Sequence, residues 1–174
     1  MIREMDQITD KIWLGNLEST FNVDNLKRNG IKKVLTIMDG SPPFFKKEDN
    51  ITQEIISISD IAIENIIKYF GKCIKFIDGE EKILVHCMAG ASRSASVVIA
   101  YLMRKEKKSF QETLDFVITK RYFVNPNPGF KEQLKIFEKL LKENDYDLNK
   151  INFNEIKWNK AYNDYYGKKI MASY

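Results

Sequence analysis

The stretch that most constrains the fold is residues 82–104, where a loop of small residues joins a short apolar strand to an apolar helix. The strand reads K-I-L-V-H, and the helix begins at Ser92 or Arg93 and extends to Arg104. Between them lies C-M-A-G-A, whose glycine and alanines let the backbone turn tightly. In open parallel sheets, ligands bind where such strands end and helices begin. The stretch is therefore either a reactive site around Cys87 or a flexible turn that happens to hold a cysteine.

The rest of the chain alternates strand patterns with helical ones. Further strands are predicted at residues 8–14, 33–38 and 51–58, and further helices at 20–28, 63–78, 109–120 and 129–143. This alternation predicts one α/β domain, residues 1–143, with a central, mostly parallel sheet of about five strands flanked by helices. Residues 144–174 are rich in Asn, Lys and Tyr and are predicted to form an extension, whose aromatic residues favour packing on the domain over partial disorder.

The composition excludes several classes of protein. The chain has 174 residues, enough for one domain with a full core, and a net charge of +4. Its lysines are scattered, so no dedicated nucleic-acid surface is expected. Two cysteines and one histidine cannot build a disulfide framework or a four-ligand zinc site. Because neither a signal peptide nor a membrane-spanning apolar run is visible, we expect a reduced cytoplasmic protein with access to the nucleus.

The loop has the chemistry of an anion site with a nucleophile inside it. Its small residues allow the backbone amides of residues 88–93 to turn inward, and the following helix adds its positive N-terminal end. Arg93 supplies a planar, two-pronged donor for an oxyanion. The same positive field stabilises a thiolate at Cys87, which favours nucleophilic chemistry at neutral pH.

Other uses of a reactive cysteine are disfavoured by the residues present. A cysteine protease needs a histidine base that faces the thiol, but His86 directly precedes Cys87, and neighbouring strand residues point to opposite faces. His86 is therefore predicted to be a buried, hydrogen-bonded residue that orients the loop. The nucleotide-binding pattern G-x-x-x-x-G-K-[ST] and a C-x-x-C redox pair are both absent.

The segment H-C-M-A-G-A-S-R-S, residues 86–94, resembles the H-C-x-x-G-x-S-R-S motif of the dual-specificity protein phosphatases, within the cysteine-based protein tyrosine phosphatase superfamily. The resemblance extends from about residue 8 to residue 141. It includes I-W-L-G-N at 12–16, G-I-K-K-V-L at 30–35, Asp60 with the helix after it, and Arg121 followed by P-N-P-G-F at 126–130. Residues beyond about 143 have no recognised counterpart in the family.

The resemblance implies a role for each residue of the site. Cys87 would attack phosphorus and form a phosphocysteine, Asp60 would donate a proton to the leaving group, and Ser94 would donate a hydrogen bond to the departing thiolate. Asp39 and then Asp49 are the next candidates for the proton donor. The phosphate would be held by Arg93 and the backbone amides of Met88, Ala89, Gly90, Ala91 and Ser92. His86 would support the loop and Asn127 would brace it, with no metal or cofactor required.

The resemblance also limits the substrate. No insertion that would deepen the cleft is visible, which favours phosphotyrosine together with phosphoserine or phosphothreonine in protein substrates. The loop positions Met88, Ala89 and Ala91 are neutral, which disfavours highly charged head groups. A lipid, carbohydrate or RNA phosphatase and a catalytically silent phosphoprotein-binding module remain as alternatives. Cys73 is either a small core residue or a partner that protects Cys87 from oxidation.

Overall fold

A computed structural model describes residues 3–158 of the chain. These residues form a five-stranded sheet in the order β1-β2-β5-β3-β4. β1 pairs with β2 in an antiparallel sense, and the other three pairs are parallel. The strands are β1 Met5–Gln7, β2 Ile12–Gly15, β3 Ile31–Ile37, β4 Thr52–Ile56 and β5 Lys82–His86. The predicted α/β domain with a mostly parallel sheet is confirmed.

Five α-helices flank the sheet within the described residues. They are α1 Val23–Arg28, α2 Ile67–Ile77, α3 Arg93–Glu106, α4 Phe110–Lys120 and α5 Pro128–Glu143. The predicted capping box at Ser109 and Glu112 begins α4. The prediction that the second helix begins at Ile63 is wrong, because residues 61–66 form a loop and Ile63 is 54% exposed. The spacing of Ile63 from the apolar residues of α2 matches a helix, although Ile63 itself faces solvent.

Alternate residues of the central strands pack into two separate apolar clusters. In β5, Ile83 and Val85 face the large cluster formed with α2 to α5, whereas Leu84 faces a smaller cluster that includes Leu26 of α1. β5 is therefore buried on both faces, which explains its continuous apolar sequence. This burial fixes the end of β5, and hence Cys87, at the centre of the sheet's carboxyl edge.

The segment that follows α5 packs on the domain as far as the structure describes it. Two short 3₁₀ helices, Leu148–Lys150 and Phe153–Glu155, lie within it, and Trp158 is only 4% exposed. The rest of the predicted extension, residues 159–174, lies outside the described residues. In the described range 3–158, no helix is both long and apolar enough to cross a membrane.

Candidate active site

The loop after β5, residues 87–92, turns its carbonyl groups outward. Four successive carbonyl oxygens accept hydrogen bonds from other segments. The Leu17 amide binds Met88 (3.1 Å), the Arg121 guanidinium binds Ala89 (3.4 Å) and Gly90 (2.9 Å), and the Asn125 amide binds Ala91 (2.9 Å). Because these carbonyls are held outward, the loop's amides are left to face its centre, as in an anion-binding nest.

Gly90 is required at its position by both conformation and space. Its φ of +69° lies in the left-handed region that other residues rarely adopt. A Cβ there would lie 2.5 Å from the carbonyl oxygen of Gly15 and 2.8 Å from Nη2 of Arg121. The glycine therefore lets the loop approach both β2 and the arginine that holds its carbonyls.

Cys87 lies at the centre of the loop, where two donors point at its sulfur. The Ser94 hydroxyl lies 3.1 Å and the Gly90 amide 3.3 Å from Sγ. The first turn of α3 begins at Arg93, so its partial positive charge lies beside the thiol. Two hydrogen-bond donors and the positive end of α3 therefore converge on the Cys87 sulfur.

One nitrogen of the Arg93 guanidinium is held by hydrogen bonds, and another keeps a free N–H within the described part of the chain. Its Nη1 donates to Oδ1 of Asp39 (3.0 Å) and to the carbonyl of Ile58 (3.2 Å). Its buried Nε has no hydrogen-bond acceptor among residues 3–158, and the nearest carboxylate oxygen, Oδ2 of Asp60, is 3.9 Å away. The guanidinium is therefore fixed in orientation while keeping a buried donor for an incoming oxyanion.

Asp60 is held beside the loop by two donors to a single oxygen. Its Oδ1 accepts from the Ser92 hydroxyl (2.7 Å) and from Nδ2 of Asn127 (2.8 Å). The resemblance implies that Asn127 braces the loop of residues 87–92. Its side-chain amide contacts Asp60 instead, and only its backbone amide reaches the loop, at the Ser92 hydroxyl (3.0 Å).

The two other candidate proton donors have different surroundings. Hydrogen bonds from its own backbone and from the Ser59 hydroxyl, together with the charge of Arg93, hold the pKa of Asp39 below its ordinary value. Asp49 pairs with Lys27 at 3.6 Å and accepts from the Lys46 backbone amide. The structure thus brings Asp39 and Asp60 to the site and places Asp49 in an unrelated ion pair.

His86 is fully buried beneath the loop, as predicted. Its Nε2 lies 2.8 Å from the Thr36 hydroxyl, which in turn accepts a hydrogen bond from Nε2 of Gln53 (2.8 Å). Burial lowers the pKa of His86 to about 4, so the ring is neutral at physiological pH. No local pattern points to Thr36 or Gln53, since β3 and β4 become neighbours only in the folded sheet.

The second cysteine belongs to the core. Cys73 lies on α2 with no exposed surface, and burial raises the pKa of its thiol to about 12. Both cysteines are free. The small-core-residue interpretation of Cys73 agrees with this environment.

A thiol inside a ring of backbone amides, with an arginine and an aspartate beside it at the end of a central parallel strand, is the arrangement of cysteine-based phosphatases. The family comparison is consistent with that class. The model of the family "Dual specificity phosphatase, catalytic domain" matches residues 12–140. The chain therefore belongs to the dual specificity phosphatase family.

Curated relatives and solved structures agree with this assignment. The chain is 37% identical over 138 residues to dual specificity protein phosphatase 22-A of Danio rerio, covering 77% of this chain and 65% of that protein. It is 43% identical over 137 residues to MAP kinase phosphatase with leucine-rich repeats protein 1 of Dictyostelium discoideum, covering 77% of this chain but 16% of that protein. The human tyrosine phosphatase-like serine/threonine/tyrosine-interacting protein superimposes with a TM-score of 0.75 at 31% identity, covering 80% of this chain and 99% of that one.

Proposed function

We propose that the chain is a metal-independent protein phosphatase that hydrolyses phosphotyrosine and phosphoserine or phosphothreonine through a phosphocysteine, with residues 1–143 as its catalytic domain. The observation that carries the proposal is the loop of residues 87–92, whose outward carbonyls leave a ring of amides around Cys87. Phosphoryl transfer depends mainly on positioning and on stabilising charge on the equatorial oxygens. This loop and Nε of Arg93 supply both the positioning of the phosphate and the stabilisation of its charge.

In the first step the Cys87 thiolate attacks phosphorus. An S–P bond forms while the bond from phosphorus to the leaving oxygen breaks, and that oxygen needs a proton. Asp60 is the donor best supported by the geometry, since two hydrogen bonds fix its Oδ1 and leave Oδ2 on the side of Arg93. Asp39 is a poorer donor because its lowered pKa and its bond to Arg93 keep it ionised.

In the second step water releases the phosphate. The Asp60 carboxylate takes a proton from a water molecule, the water oxygen attacks phosphorus, and the S–P bond breaks. The electron pair returns to sulfur, where the Ser94 hydroxyl (3.1 Å) and the Gly90 amide (3.3 Å) stabilise the thiolate. The same two donors thus favour both the attacking and the departing form of Cys87.

The surroundings of the site support a protein substrate. Met88 in the loop is 53% exposed, and Ile61 and Ile63 beside Asp60 are 48% and 54% exposed. These neutral, apolar side chains suit a peptide better than a polyanionic lipid or RNA head group. The Asp39 carboxylate next to Arg93 adds repulsion against further negative charge. An intact Cys87, Arg93 and Asp60 disfavours the silent binding module.

The test is a turnover assay on phosphotyrosine and phosphothreonine peptides and on a phosphoinositide, with a metal chelator present. The wild type should hydrolyse the peptides, Cys87→Ser should be inactive but still bind phosphopeptide, and Asp60→Ala should lose about 10²–10⁴-fold in rate. Asp49→Ala, an equivalent truncation away from the site, should keep the wild-type rate. A requirement for added metal, or preferential hydrolysis of the phosphoinositide, would contradict the proposal.

A further inference from the structure

We propose that residues 144–158 position the general-acid loop, which we define as residues 60–66, so that Asp60 can donate its proton. The inference rests on the proposed function, because it takes Asp60 as the proton donor. Residues 144–158 lie beyond the part of the chain that the family model matches, which ends at residue 140. Their contacts therefore give this chain a means of holding the loop that the matched domain does not contain.

Residues 144–158 contact the general-acid loop through the buried indole of Trp158. Nε1 of Trp158 donates a 2.9 Å hydrogen bond to the carbonyl oxygen of Ala62, and the tryptophan is 4% exposed. Ala62 is only two residues from Asp60. A hydrogen bond shielded from water is worth more than an exposed one, since solvent cannot compete for the acceptor. Trp158 thus fixes a backbone atom close to the carboxylate.

A second contact holds the far end of the same loop. Nδ2 of Asn65 donates a 2.7 Å hydrogen bond to the carbonyl of Ile156. The segment is itself docked on the domain at Phe153, whose ring lies against Gly71 of α2 so closely that a Cβ at Gly71 would be 2.7 Å from it. The ring of Phe153 also packs 6.1 Å from that of Phe137. The segment is therefore a fixed support for both of its loop contacts.

The general-acid loop has little apolar anchorage of its own at its tip. Ile61 and Ile63 both project into solvent, so the side chains on either side of Ala62 contribute little burial. The backbone of Ala62 instead lies against Gly129 at the start of α5, where a Cβ would overlap the Ala62 carbonyl oxygen and lie 2.6 Å from its carbonyl carbon. Ala62 is held between Gly129 on one side and Trp158 on the other.

This arrangement makes Trp158 a positioning residue, because it acts on Asp60 through the loop backbone. Loss of the Trp158 hydrogen bond should impair proton donation by Asp60 and leave attack by the Cys87 thiolate unaffected. Two substrates distinguish proton donation from thiolate attack. The serine alkoxide released from phosphoserine needs a proton to depart, whereas nitrophenolate departs without one. The loss of one hydrogen bond predicts a 3- to 10-fold effect, about the size of a typical neutral hydrogen bond converted to rate.

The experiment compares Trp158→Phe with Trp13→Phe in the 174-residue chain. Trp13 makes a matched control because its indole nitrogen has no hydrogen-bond partner among the described residues. For each variant kcat/KM is measured on a phosphoserine peptide and on p-nitrophenyl phosphate. Both substrates are assayed on one sample, so their ratio does not depend on the fraction of protein that is folded. Trp158→Phe is also combined with Asp60→Ala.

We expect Trp158→Phe to slow the phosphoserine reaction 3- to 10-fold while changing the nitrophenyl reaction less than twofold, and to add nothing in the Asp60→Ala background. Trp13→Phe should leave the ratio unchanged. If Trp158→Phe slows both reactions equally, or neither, while the wild type is active, the positioning role is wrong and the proposed function stands. A wild type that hydrolyses neither substrate would overturn both.

Discussion

Arg121 offers the most direct test of how the loop of residues 87–92 is held. Its side chain has no exposed surface, and it donates to the Gly90 carbonyl at 2.9 Å, to the Ala89 carbonyl at 3.4 Å and to the Asp6 carboxylate at 2.6 Å. The substitution Arg121→Met keeps most of the apolar volume and removes every donor. It would leave two loop carbonyls and a carboxylate that is 16% exposed without this partner.

The magnitude follows from that burial. Removing one partner of a buried ion pair costs about 3–5 kcal/mol, since the remaining charge stays desolvated. For a chain of this size each kcal/mol shifts the Tm by about 2–4 °C, so we expect a fall of about 6–20 °C. The released carbonyls should also let the amide ring relax and weaken competitive inhibition by inorganic phosphate by about tenfold.

The control is the same substitution at Arg104. Its ion pair with Asp78, at 3.2 Å, has side chains that are 30% and 37% exposed, so Arg104→Met should cost no more than about 1 kcal/mol. Thermal unfolding by circular dichroism and the inhibition constant for phosphate are measured on both variants. Equal Tm values for the two variants, with phosphate inhibition unchanged at Arg121→Met, would refute the reasoning.

Two further outcomes follow from buried groups around the site. The unfolded state binds a proton at His86 near pH 6.5 and the folded state only near pH 4, so stability should fall by about 3 kcal/mol as the pH drops through that window. Urea unfolding against pH would show this slope, and His86→Gln should flatten it; an unchanged slope would contradict the assignment. The substitution Gly129→Ala should lower the free energy of unfolding by about 1–3 kcal/mol, because the added methyl group overpacks against the Ala62 backbone. An unchanged urea midpoint would contradict this expectation.

Local patterns were sufficient to predict the four parallel strands and the loop after β5, but not the antiparallel edge strand β1, Met5–Gln7. The continuous apolar run of β5 indicates burial on both faces, and the glycine and alanines that follow indicate a tight backbone turn, which the positive φ of Gly90 confirms. The capping box at Ser109 and the turn at Gly30 correctly mark where helices begin and end. These features are encoded within a few residues of one another, which is why a single sequence reveals them.

Contacts between distant segments were not predictable in the same way. Ile63 follows the apolar spacing of α2, yet Ala62 lies against Gly129 and Trp158, and residues 61–66 form a loop. The hydrogen bond from Gln53 to Thr36 depends on the register of two parallel strands. A tryptophan in a segment without periodicity gives no indication of which carbonyl it will bind.

The outward carbonyls of residues 88–91 have a consequence for folding. Their donors, Leu17, Arg121 and Asn125, stand on both sides of the loop in the chain, so no local fragment can shape it. Contacts between residues far apart in sequence form late, after the entropy of closing the intervening chain has been overcome. A partly folded molecule would carry the cysteine without the ring of amides around it. Recovery of activity during refolding should therefore coincide with completion of the whole domain.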